Sequence, residues 1–305
     1  MAESEFGLIR KFAGLTPRAG RLKAGIGDDA AVIKSGKKGF YELFTCDALV
    51  EGVHFTVKDK LFEVGYKSVA VSVSDIAAMG GLPAEAVVAV GVSGRISDRD
   101  AINIYKGMLK AAEKFGLNLA GGDTVKSREL FISVAMTGLV EKNRLVLRKG
   151  AKTGDAIMVT GRLGGSLENR KHLLFRPRLF EARYLTKRFV IHSMIDVSDG
   201  LAGDLRRICE MSGCGAVIYP DKVPVSGSLK KYGREKSFHR AVTDGEDFEL
   251  LFTVPAKSAK RIENGMKKFF NLKATEIGRI IRGSDVLMEK NQKITALNMD
   301  GYKHF

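Results

Sequence analysis

Seven aspartates stand beside glycines or inside apolar stretches of the sequence, where a lone carboxylate is unfavourable. They are Asp28, Asp29, Asp47, Asp75, Asp123, Asp196 and Asp199. A carboxylate in apolar surroundings is costly unless it is paired or bound to a metal ion, and carboxylate oxygens are good ligands for divalent cations. Because the chain has a formal charge of +15, we interpret the seven aspartates as a divalent-metal cluster that gathers phosphate groups.

Two of these aspartates, Asp28 and Asp29, are adjacent in the stretch Gly25-Ile-Gly-Asp-Asp-Ala-Ala-Val-Ile33. The side chains of Asp28 and Asp29 cannot both point into a core, so this turn is expected to face water or a cation. Glycine and aspartate are also ordinary turn residues, and a simple hairpin corner is the alternative interpretation of this stretch taken alone. The other acidic positions favour the metal interpretation.

Glycines accompany three further acidic positions. Asp123 follows Gly121-Gly122, and the backbone N–H groups of a glycine-rich turn at residues 118–124 can approach a phosphate. Asp196 and Asp199 precede a predicted helix that begins near Gly200. A helix N-terminus attracts anions, yet carboxylates in front of it repel a bare phosphate, so these two acids favour a phosphate bridged by a metal ion.

The predicted elements that position these residues alternate along the chain. Predicted strands cover residues 29–33, 40–50, 84–92, 130–140, 156–160, 193–197, 216–219, 249–254 and 275–280. Predicted helices cover residues 61–81, 97–115, 178–190, 200–212 and 256–270. The helix at 97–115 has the clearest pattern, because Ser97 and Asp100 resemble a capping box and Gly116 follows its apolar stripe.

Residues 61–81 are ambiguous. The valines between positions 69 and 73 alternate with small residues as in a strand, whereas Ser68, Ser72, Asp75 and Met79 share one face of a helix. We predict a helix that is apolar on most sides and therefore buried, with Gly80-Gly81 and Pro83 at its end.

A length of 305 residues predicts two domains, each large enough for its own core. The polar stretch Lys149-Gly-Ala-Lys-Thr-Gly-Asp155 is the predicted boundary, so we expect domains at residues 1–148 and 149–305. The composition, 45% hydrophobic and 28% charged, is typical of a globular protein. Since no apolar run approaches the roughly 18 residues of a membrane span and the first residues lack a signal sequence, we expect a cytoplasmic protein without a membrane partner.

The cysteines and the basic residues exclude further classes. Cys46, Cys209 and Cys214 form no C-x-x-C pair, so neither a disulfide framework nor a structural zinc site is expected. The lysines and arginines occur as scattered doublets such as Lys37-Lys38 and Arg206-Arg207, without a basic block or interleaved aromatic residues. This pattern predicts a solvated basic surface rather than a nucleic-acid interface.

The ordered motifs resemble the thiamine-monophosphate kinase family over essentially the whole chain. The matching motifs are Gly27-Asp-Asp29 with Ala30-Ala-Val-Ile33, Asp47-Ala-Leu-Val-Glu-Gly-Val-His-Phe55, Tyr66-Lys67, Ser74-Asp-Ile-Ala-Ala-Met-Gly80, Gly121-Gly-Asp-Thr124, Arg148 before Gly150-Ala-Lys-Thr-Gly-Asp155, Ile195-Asp-Val-Ser-Asp-Gly200, Gly245-Glu-Asp-Phe-Glu-Leu-Leu251 and Gly301-Tyr-Lys-His-Phe305. The resemblance implies the α+β fold of the aminoimidazole ribonucleotide synthetase superfamily. That fold has two α/β domains and an N-terminal sheet that pairs in a homodimer.

The resemblance also implies roles for individual residues, with ATP as co-substrate, thiamine monophosphate as acceptor and several Mg²⁺ ions as cofactors. Implied metal ligands are Asp28 or Asp29, Thr45, the pair Cys46 and Asp47, Asp75, Asp123, Asp196 and Asp199. Implied ATP contacts are Tyr105, Gly122, Asp123, Arg148 and Ser198. Implied thiamine-phosphate contacts are His54, Glu246 and Tyr302.

No catalytic general base is expected. The acceptor is a phosphate monoester whose second pKa of about 6 leaves it mostly dianionic at neutral pH, so there is no hydroxyl proton to remove. We therefore expect metal-assisted, direct in-line transfer that releases ADP and thiamine diphosphate.

Some positions depart from the family's pattern. Met299 stands where relatives often have Trp, and Cys46 stands where they often have Thr or Ser. The first difference weakens the argument for an aromatic platform under the pyrimidine, and the second weakens a metal contact from the side chain at position 46. The segment between Gly165 and His172 is also short for the family.

Two alternative functions follow from other classes. One is an ATP-dependent synthetase of the same superfamily, such as those that make aminoimidazole ribonucleotide or selenophosphate. Selenophosphate enzymes carry a reactive Cys or selenocysteine near the N-terminus and the hydrogenase-maturation relative ends in Cys, whereas here the first cysteine is Cys46 and the last residue is Phe305. The other is a catalytically silent binding protein, which would be expected to have lost acids that this chain retains.

Overall fold

The structure is a computed structural model that describes residues 5–17, 20–56, 58–299 and 301–302. Its α-helices are α1 (Glu5–Leu15), α2 (Leu61–Ala78), α3 (Asp98–Phe115), α4 (Lys171–Leu174), α5 (Leu179–Arg188), α6 (Leu201–Ser212), α7 (Arg234–Thr243) and α8 (Ala259–Phe270). Its strands are β1 (Leu22–Ala24), β2 (Ala31–Lys34), β3 (Phe40–Val50), β4 (Leu82–Val92), β5 (Asn118–Lys126), β6 (Phe131–Glu141), β7 (Asp155–Thr160), β8 (Ser193–Asp196), β9 (Gly215–Ile218), β10 (Leu250–Pro255), β11 (Ala274–Ile281), β12 (Val286–Lys290) and β13 (Lys293–Ala296).

The first sheet contains six strands in the order β1-β2-β3-β6-β4-β5. Strands β3 and β6 pair antiparallel over their whole length, from Phe40 opposite Glu141 to Val50 opposite Phe131. Strands β4 and β5 are parallel, and α3 forms the crossover between them that a parallel pair requires. The long β3 strand carries Thr45 at its middle and Asp47 two residues later, and it leads into the turn that contains His54.

The second sheet contains seven strands in the order β13-β12-β9-β11-β7-β10-β8. All neighbouring pairs are antiparallel except β12 and β9. Strands β7 and β8 are buried at every position, as expected for strands covered on both faces. The β8 strand ends at Asp196, so the Asp196 carboxylate lies at the end of a fully buried strand.

Helix α2 lies at the centre of the described molecule and confirms the prediction of a buried helix at residues 61–81. It packs most extensively against α3, and also against β3, β4 and β6 of the first sheet and against α5, α4 and β8. Its side chains at Val69, Val73, Ile76 and Ala77 are completely buried. Because the helix is enclosed on all sides, the strand-like alternation of its valines carried no information about which face points inwards.

Helix α3 confirms its predicted ends. The hydroxyl of Ser97 accepts a hydrogen bond from the backbone N–H of Asp100 at 3.2 Å, and the Asp100 carboxylate accepts one from the Ser97 backbone N–H at 3.2 Å. Gly116 ends the helix in the left-handed conformation at φ 72°. Local capping chemistry therefore fixed both ends of this helix without help from distant residues.

The prediction of a glycine-rich turn at residues 118–124 is wrong, because this segment is strand β5. It pairs in parallel with β4, and the register shifts between Leu119 and Gly121, which leaves Ala120 as an extra residue. Gly121 has φ 154°, and a side chain at Gly122 would collide with the carbonyl oxygen of Val88. The two glycines therefore allow a bulge and a close backbone approach within a strand, and not a turn.

Other short elements had no clear sequence signal, namely α1, α4, α7, β1, β12 and β13. Helix α7 shows the reason, since only Ser237, Ala241 and Val242 are buried along its length and its apolar period is weak. The first sheet ends at Glu141 and the second begins at Asp155, whereas the domain boundary between residues 148 and 149 stays a prediction. Within the described ranges, no helix is both long and apolar enough to cross a bilayer.

Candidate functional site

Three of the predicted acids converge at the junction of the two sheets. Asp29 precedes β2, Asp75 lies in the last turns of α2, and Asp196 ends β8. One carboxylate oxygen of each lies within 4.8 Å of those of the other two. The residues come from both halves of the chain, so the buried position of α2 is what brings them together.

Hydroxyl groups orient these carboxylates. The Thr45 hydroxyl donates a hydrogen bond to Asp75 Oδ2 at 2.6 Å, and the Ser74 hydroxyl donates to Asp196 Oδ2 at 2.6 Å. Ser72 donates in the same way to Asp47 Oδ2 at 2.6 Å. Helix α2 therefore contributes one acid and two hydroxyl donors to the group, which we call the aspartate cluster: Asp29, Asp47, Asp75 and Asp196.

The aspartate cluster contains more negative charge than the neighbouring cations balance, and the pKa values of its carboxyl groups are raised. Burial, and then the charges of Asp47, Asp196 and Asp29, raise the pKa of Asp75 well above its ordinary value. Burial, and then the charge of Asp29, raise the pKa of Asp196 to about 7. Burial also raises the pKa of Asp47, although hydrogen bonds from Ser72 and Asp75 oppose it.

Arg148 is the cation that faces this cluster among the described residues. Its guanidinium Nη2 donates to Asp29 Oδ1 at 2.7 Å, and its backbone N–H donates to Asp28 Oδ1 at 2.7 Å. Burial raises the pKa of Asp28 to about 6, against the hydrogen bond from Arg148. Asp29 Oδ2 is buried and accepts a hydrogen bond from no described residue. Of the cluster's four carboxylates, Asp29 and Asp196 are buried and Asp47 and Asp75 are partly buried. Together with one guanidinium and an unused carboxylate oxygen, they fit the ligand chemistry of Mg²⁺.

A pocket of about 430 Å³ adjoins the aspartate cluster, and Asp47 belongs to both. Predicted site residues that line the pocket are Cys46, Asp47, His54, Ser198, Asp199, Glu246 and Tyr302. Apolar lining comes from Leu49, Val53, Val71, Leu167 and Phe248. All three predicted thiamine-phosphate contacts thus lie around one cavity, whose lining combines apolar side chains with several acidic and polar ones.

The loop at residues 244–248 shapes one wall of this pocket. Glu246 and Phe248 adopt left-handed backbone conformations at φ 53° and φ 49°, which are uncommon for residues other than glycine. The Glu246 backbone N–H donates to the Ser198 carbonyl at 2.6 Å, and the Phe248 ring stacks on Phe175 with 3.9 Å between centroids. Asp247 accepts hydrogen bonds from Gly164 N–H and the Ser166 hydroxyl, both at 2.7 Å. These contacts hold the loop in its strained form.

The loop at residues 198–200 is held by the last described residues. The Tyr302 backbone N–H donates to the Asp199 carbonyl at 2.7 Å, and Arg207 on α6 forms an ion pair with the Asp199 carboxylate. Asp199 therefore faces the pocket from the N-terminus of α6. The tail residues Lys303, His304 and Phe305 of the predicted motif lie outside the described residues.

Three predicted ATP contacts lie away from the cluster within one chain. Tyr105 is half-exposed on α3, and Gly122 and Asp123 are exposed on β5. In the sheet register, Gly122 is opposite Val88, which is opposite Val134, which is opposite Asp47. Three strand spacings separate Asp47 from Gly122, or about 14 Å. A single chain does not bring these residues to Asp75.

Sequence reasoning missed the contacts of Lys67 and Ser72 with Glu246 and Asp47. Lys67 is completely buried in α2, and its ammonium Nζ donates to Glu246 Oε1 at 2.6 Å. The available signal was a lysine inside an otherwise apolar helical segment, a position that requires a partner. The partner itself could not be identified, because Glu246 lies 179 positions further along the chain.

Comparisons with known proteins match both halves of the chain. The family model for the N-terminal domain of AIR synthase related proteins matches residues 27–140, and the model for their C-terminal domain matches residues 152–289. Over its full length the chain is 35% identical to the thiamine-monophosphate kinase of Buchnera aphidicola subsp. Schizaphis graminum, covering 100% of both chains. It is 33% identical to that of Bacillus subtilis, covering 99% of both chains.

Solved structures give the same result. The structure named AaThiL complexed with AMPPCP and TMP superimposes with a TM-score of 0.85 at 32% identity, covering 99% of this chain and 97% of that one. The hydrogenase maturation protein HypE of Escherichia coli superimposes with a TM-score of 0.73 at 17% identity, covering 86% of this chain and 87% of that one, and shares the fold.

Proposed function

The chain belongs to the thiamine-monophosphate kinase family, and on this basis we propose that it transfers the γ-phosphoryl group of ATP to thiamine monophosphate, giving ADP and thiamine diphosphate. The observation that carries the proposal is the junction of the aspartate cluster and the 430 Å³ pocket at Asp47. A site for phosphate-bound cations thus meets a pocket with both apolar and acidic lining, of suitable size for the organic part of the acceptor.

The proposed ligands of Mg²⁺ are the sequence-predicted set, with Asp29, Asp75 and Asp196 at its centre. Bound Mg²⁺ would neutralise phosphate oxygens and orient them for transfer. The remaining ligands stay proposals, namely Asp28, Thr45, Cys46, Asp47, Asp123 and Asp199. Cys46 is exposed beside the pocket, and its thiol is a poorer partner for Mg²⁺ than an oxygen group.

The chain's own residues have mainly positioning roles in this proposal. Arg148 is fixed by Asp29 and supplies positive charge next to the phosphates, and Ser198 lies on the pocket wall beside the N-terminus of α6. We assign Tyr105, Gly122 and Asp123 to ATP as well, and because a single chain does not bring them to Asp75, this assignment depends on the proposed homodimer, in which the partner chain would supply them. His54, Glu246 and Tyr302 are assigned to the acceptor, because all three line the pocket.

Charge repulsion is the main obstacle to this reaction. Two unit charges about 4 Å apart repel by roughly 4 kcal/mol at an effective dielectric constant of 20, and two phosphate groups must meet here. The acceptor is already mostly dianionic at neutral pH, so no side chain needs to remove a proton. We propose in-line transfer without a phosphoenzyme or a general base, in which alignment and charge neutralisation lower the barrier.

Homodimerisation through the first sheet is also proposed. Its outer face exposes Phe44 on β3, Val87 on β4 and Val125 on β5, each more than two-fifths accessible. Apolar side chains that share one face of a sheet favour a protein partner. The molar mass in solution, measured by light scattering, should correspond to two chains, and Phe44→Asp should shift it towards one.

A cytoplasmic location is proposed on two grounds. ATP is the proposed co-substrate, and Cys46, Cys209 and Cys214 are all free thiols. Free thiols persist in reducing compartments.

One assay tests the proposed reaction. The protein is incubated with [γ-³²P]ATP, Mg²⁺ and thiamine monophosphate, and the products are separated by chromatography. We expect labelled thiamine diphosphate and ADP, with no label on the protein. AMP as the nucleotide product would indicate chemistry of the selenophosphate-synthetase type, and labelled protein or retention of configuration at a chiral γ-phosphorus would rule out direct transfer.

A further inference from the structure

Lys67 occupies an unusual position for a lysine. Its side chain is completely buried within α2, and its Nζ donates to Glu246 Oε1 at 2.6 Å and to the His54 carbonyl at 2.8 Å. Burial lowers the pKa of Lys67, and the charge of Glu246 opposes that shift. A buried ammonium group is costly unless it is paired and hydrogen-bonded, so these two contacts are what make its position tolerable.

The two partners of Lys67 belong to different halves of the chain and both line the pocket. His54 lies in the turn after β3, where its ring Nδ1 accepts a hydrogen bond from the Val50 backbone N–H at 3.1 Å. Glu246 lies in the loop before β10, where its own N–H donates to Ser198. One ammonium group therefore links the two loops that carry the proposed acceptor contacts.

Glu246 uses only one carboxylate oxygen in this arrangement. Oε1 accepts from Lys67, whereas Oε2 is buried and accepts a hydrogen bond from no described residue. A buried acceptor oxygen without a donor is costly, so it indicates a ligand donor that completes the site. The left-handed backbone at Glu246 further indicates that the loop is held for a purpose other than its own stability.

We propose that Lys67 is a positioning residue for acceptor recognition, which holds Glu246 so that Oε2 faces an N–H donor of the acceptor. This inference rests on the proposed function. Because the charge of Glu246 is already balanced by Lys67, the carboxylate recognises a neutral N–H group, such as the amino group of an aminopyrimidine, in preference to a second cation. The charged thiazolium ring of the acceptor is then not the group that Glu246 binds.

A purely structural ion pair between the two halves of the chain predicts different behaviour. Its loss would lower the melting temperature and the fraction of active protein, but the KM values of the surviving enzyme would stay unchanged. A positioning role predicts a rise in the KM for thiamine monophosphate while the KM for ATP stays constant, because Lys67 donates its two described side-chain hydrogen bonds to acceptor-side residues. The two KM values therefore separate the two roles.

The experiment compares Lys67→Met, Glu246→Gln and the double variant by steady-state kinetics with each substrate varied in turn. Lys67→Met should raise the KM for thiamine monophosphate by about 10- to 100-fold, the loss expected for a charged hydrogen bond. The matched control is Lys110→Met, because Lys110 and Glu113 form an exposed pair at 2.8 Å on α3. The control should behave as the wild type.

The double variant tests the coupling between the two residues. If Lys67 acts through Glu246, the KM for thiamine monophosphate in the double variant should equal that of Glu246→Gln within about threefold. Independent, multiplying effects would overturn the proposal, as would an unchanged acceptor KM in Lys67→Met. The double variant leaves neither Lys67 nor Glu246 as an unpaired buried charge. If Lys67→Met does not fold, the comparison of the double variant with Glu246→Gln therefore still tests the proposal. Failure of both to fold would assign Lys67 a purely structural role and overturn the proposal.

The wild type separates this inference from the function on which it rests. If wild-type protein forms no thiamine diphosphate, the proposed function fails. If wild-type protein is active and the acceptor KM does not respond to Lys67, only the role of Lys67 fails. A displacement assay with a neutral aminopyrimidine lacking the thiazolium ring adds a further check: it should compete with thiamine monophosphate in the wild type and about tenfold less well in Glu246→Gln.

Discussion

Two groups of buried carboxylates differ in what surrounds them. Glu249 accepts hydrogen bonds from Arg178 Nε and Nη2 at 2.6 Å each, from Lys171 at 2.8 Å and from Thr160 at 2.7 Å. Burial acts to raise the pKa of Glu249, but Arg178 and Lys171 hold it below its ordinary value. In the aspartate cluster, burial and neighbouring carboxylates raise the pKa of Asp75 well above its ordinary value.

From this difference we infer that Glu249 belongs to the scaffold and that the aspartate cluster binds a ligand. The Glu249 group carries its own cations and needs nothing further, so it behaves as a structural network. The aspartate cluster has four carboxylates and one facing arginine, Arg148, and we propose that bound cations make up the deficit of positive charge. The opposite pKa shifts of Glu249 and Asp75 thus separate two kinds of acidic site that composition alone does not distinguish.

The largest expected effect comes from neutralising the centre of the aspartate cluster. Asp75→Asn keeps the size of the side chain but cannot balance bound Mg²⁺, so kcat should fall by about 10²- to 10³-fold. The melting temperature without metal should not fall, because one of several repelling charges is removed. Exposed Asp221 provides the control variant Asp221→Asn. Retention of more than about a tenth of the wild-type kcat would count against the role of Asp75.

Neutralising Glu249 should have the opposite profile. Glu249→Gln leaves Arg178 and Lys171 without their common counter-charge and should cost about 3 kcal/mol of unfolding free energy. Denaturant titration measures this loss. The folded variant should keep its KM values and its Mg²⁺ dependence, whereas a change in either would move Glu249 from the scaffold to the site.

Variants of the proposed acceptor contacts test which part of the site binds thiamine monophosphate and which part binds ATP. His54→Ala and Glu246→Ala should raise the KM for thiamine monophosphate by about 10- to 100-fold and leave the KM for ATP nearly unchanged. Varying each substrate at saturating levels of the other gives both values. The reverse pattern would mean that the acceptor and nucleotide pockets are interchanged.

The sequence predicted well those elements whose signals are local. Strand β3 has its predicted bounds, and α3 begins and ends where Ser97, Asp100 and Gly116 indicate. The segment Asn118–Lys126 was predicted wrongly, because two glycines typical of a turn instead serve a bulge and the close approach of Gly122 to β4. Whether a glycine permits a turn or a close contact depends on a neighbouring strand that the local sequence does not show.

The local sequence likewise shows only part of the candidate site, because it does not show which distant residues are neighbours. The acids themselves were visible because carboxylates among glycines and apolar residues are costly, and the structure brings Asp29, Asp75 and Asp196 together. The donors that orient them were not visible, since Ser72 and Ser74 are ordinary helix residues until Asp47 and Asp196 lie opposite them. The roles of all these residues stay predictions until variants are measured.

The smallest expected effect is the response of stability to pH and Mg²⁺. The pKa of Asp196 is about 7 in the folded chain against 3.8 as its ordinary value. Between these values the folded protein binds more protons than the unfolded one, so this group makes the metal-free protein less stable as pH rises from about 4 to 7. Mg²⁺ competes with those protons and should raise the melting temperature by about 3 °C at pH 8 and by less at pH 5.5. A larger shift at pH 5.5 would contradict the assignment.

Counting bound Mn²⁺ tests the central claim most directly, namely that the aspartate cluster holds the cations which bind the phosphates. Electron paramagnetic resonance measures free Mn²⁺ during titration of the wild type, Asp75→Asn and Glu249→Gln, each with thiamine monophosphate and a non-hydrolysable ATP analogue. The wild type and Glu249→Gln should bind the same number of ions, and Asp75→Asn should bind fewer or bind them at least about tenfold more weakly. Equal Mn²⁺ binding by the wild type and Asp75→Asn would contradict the account.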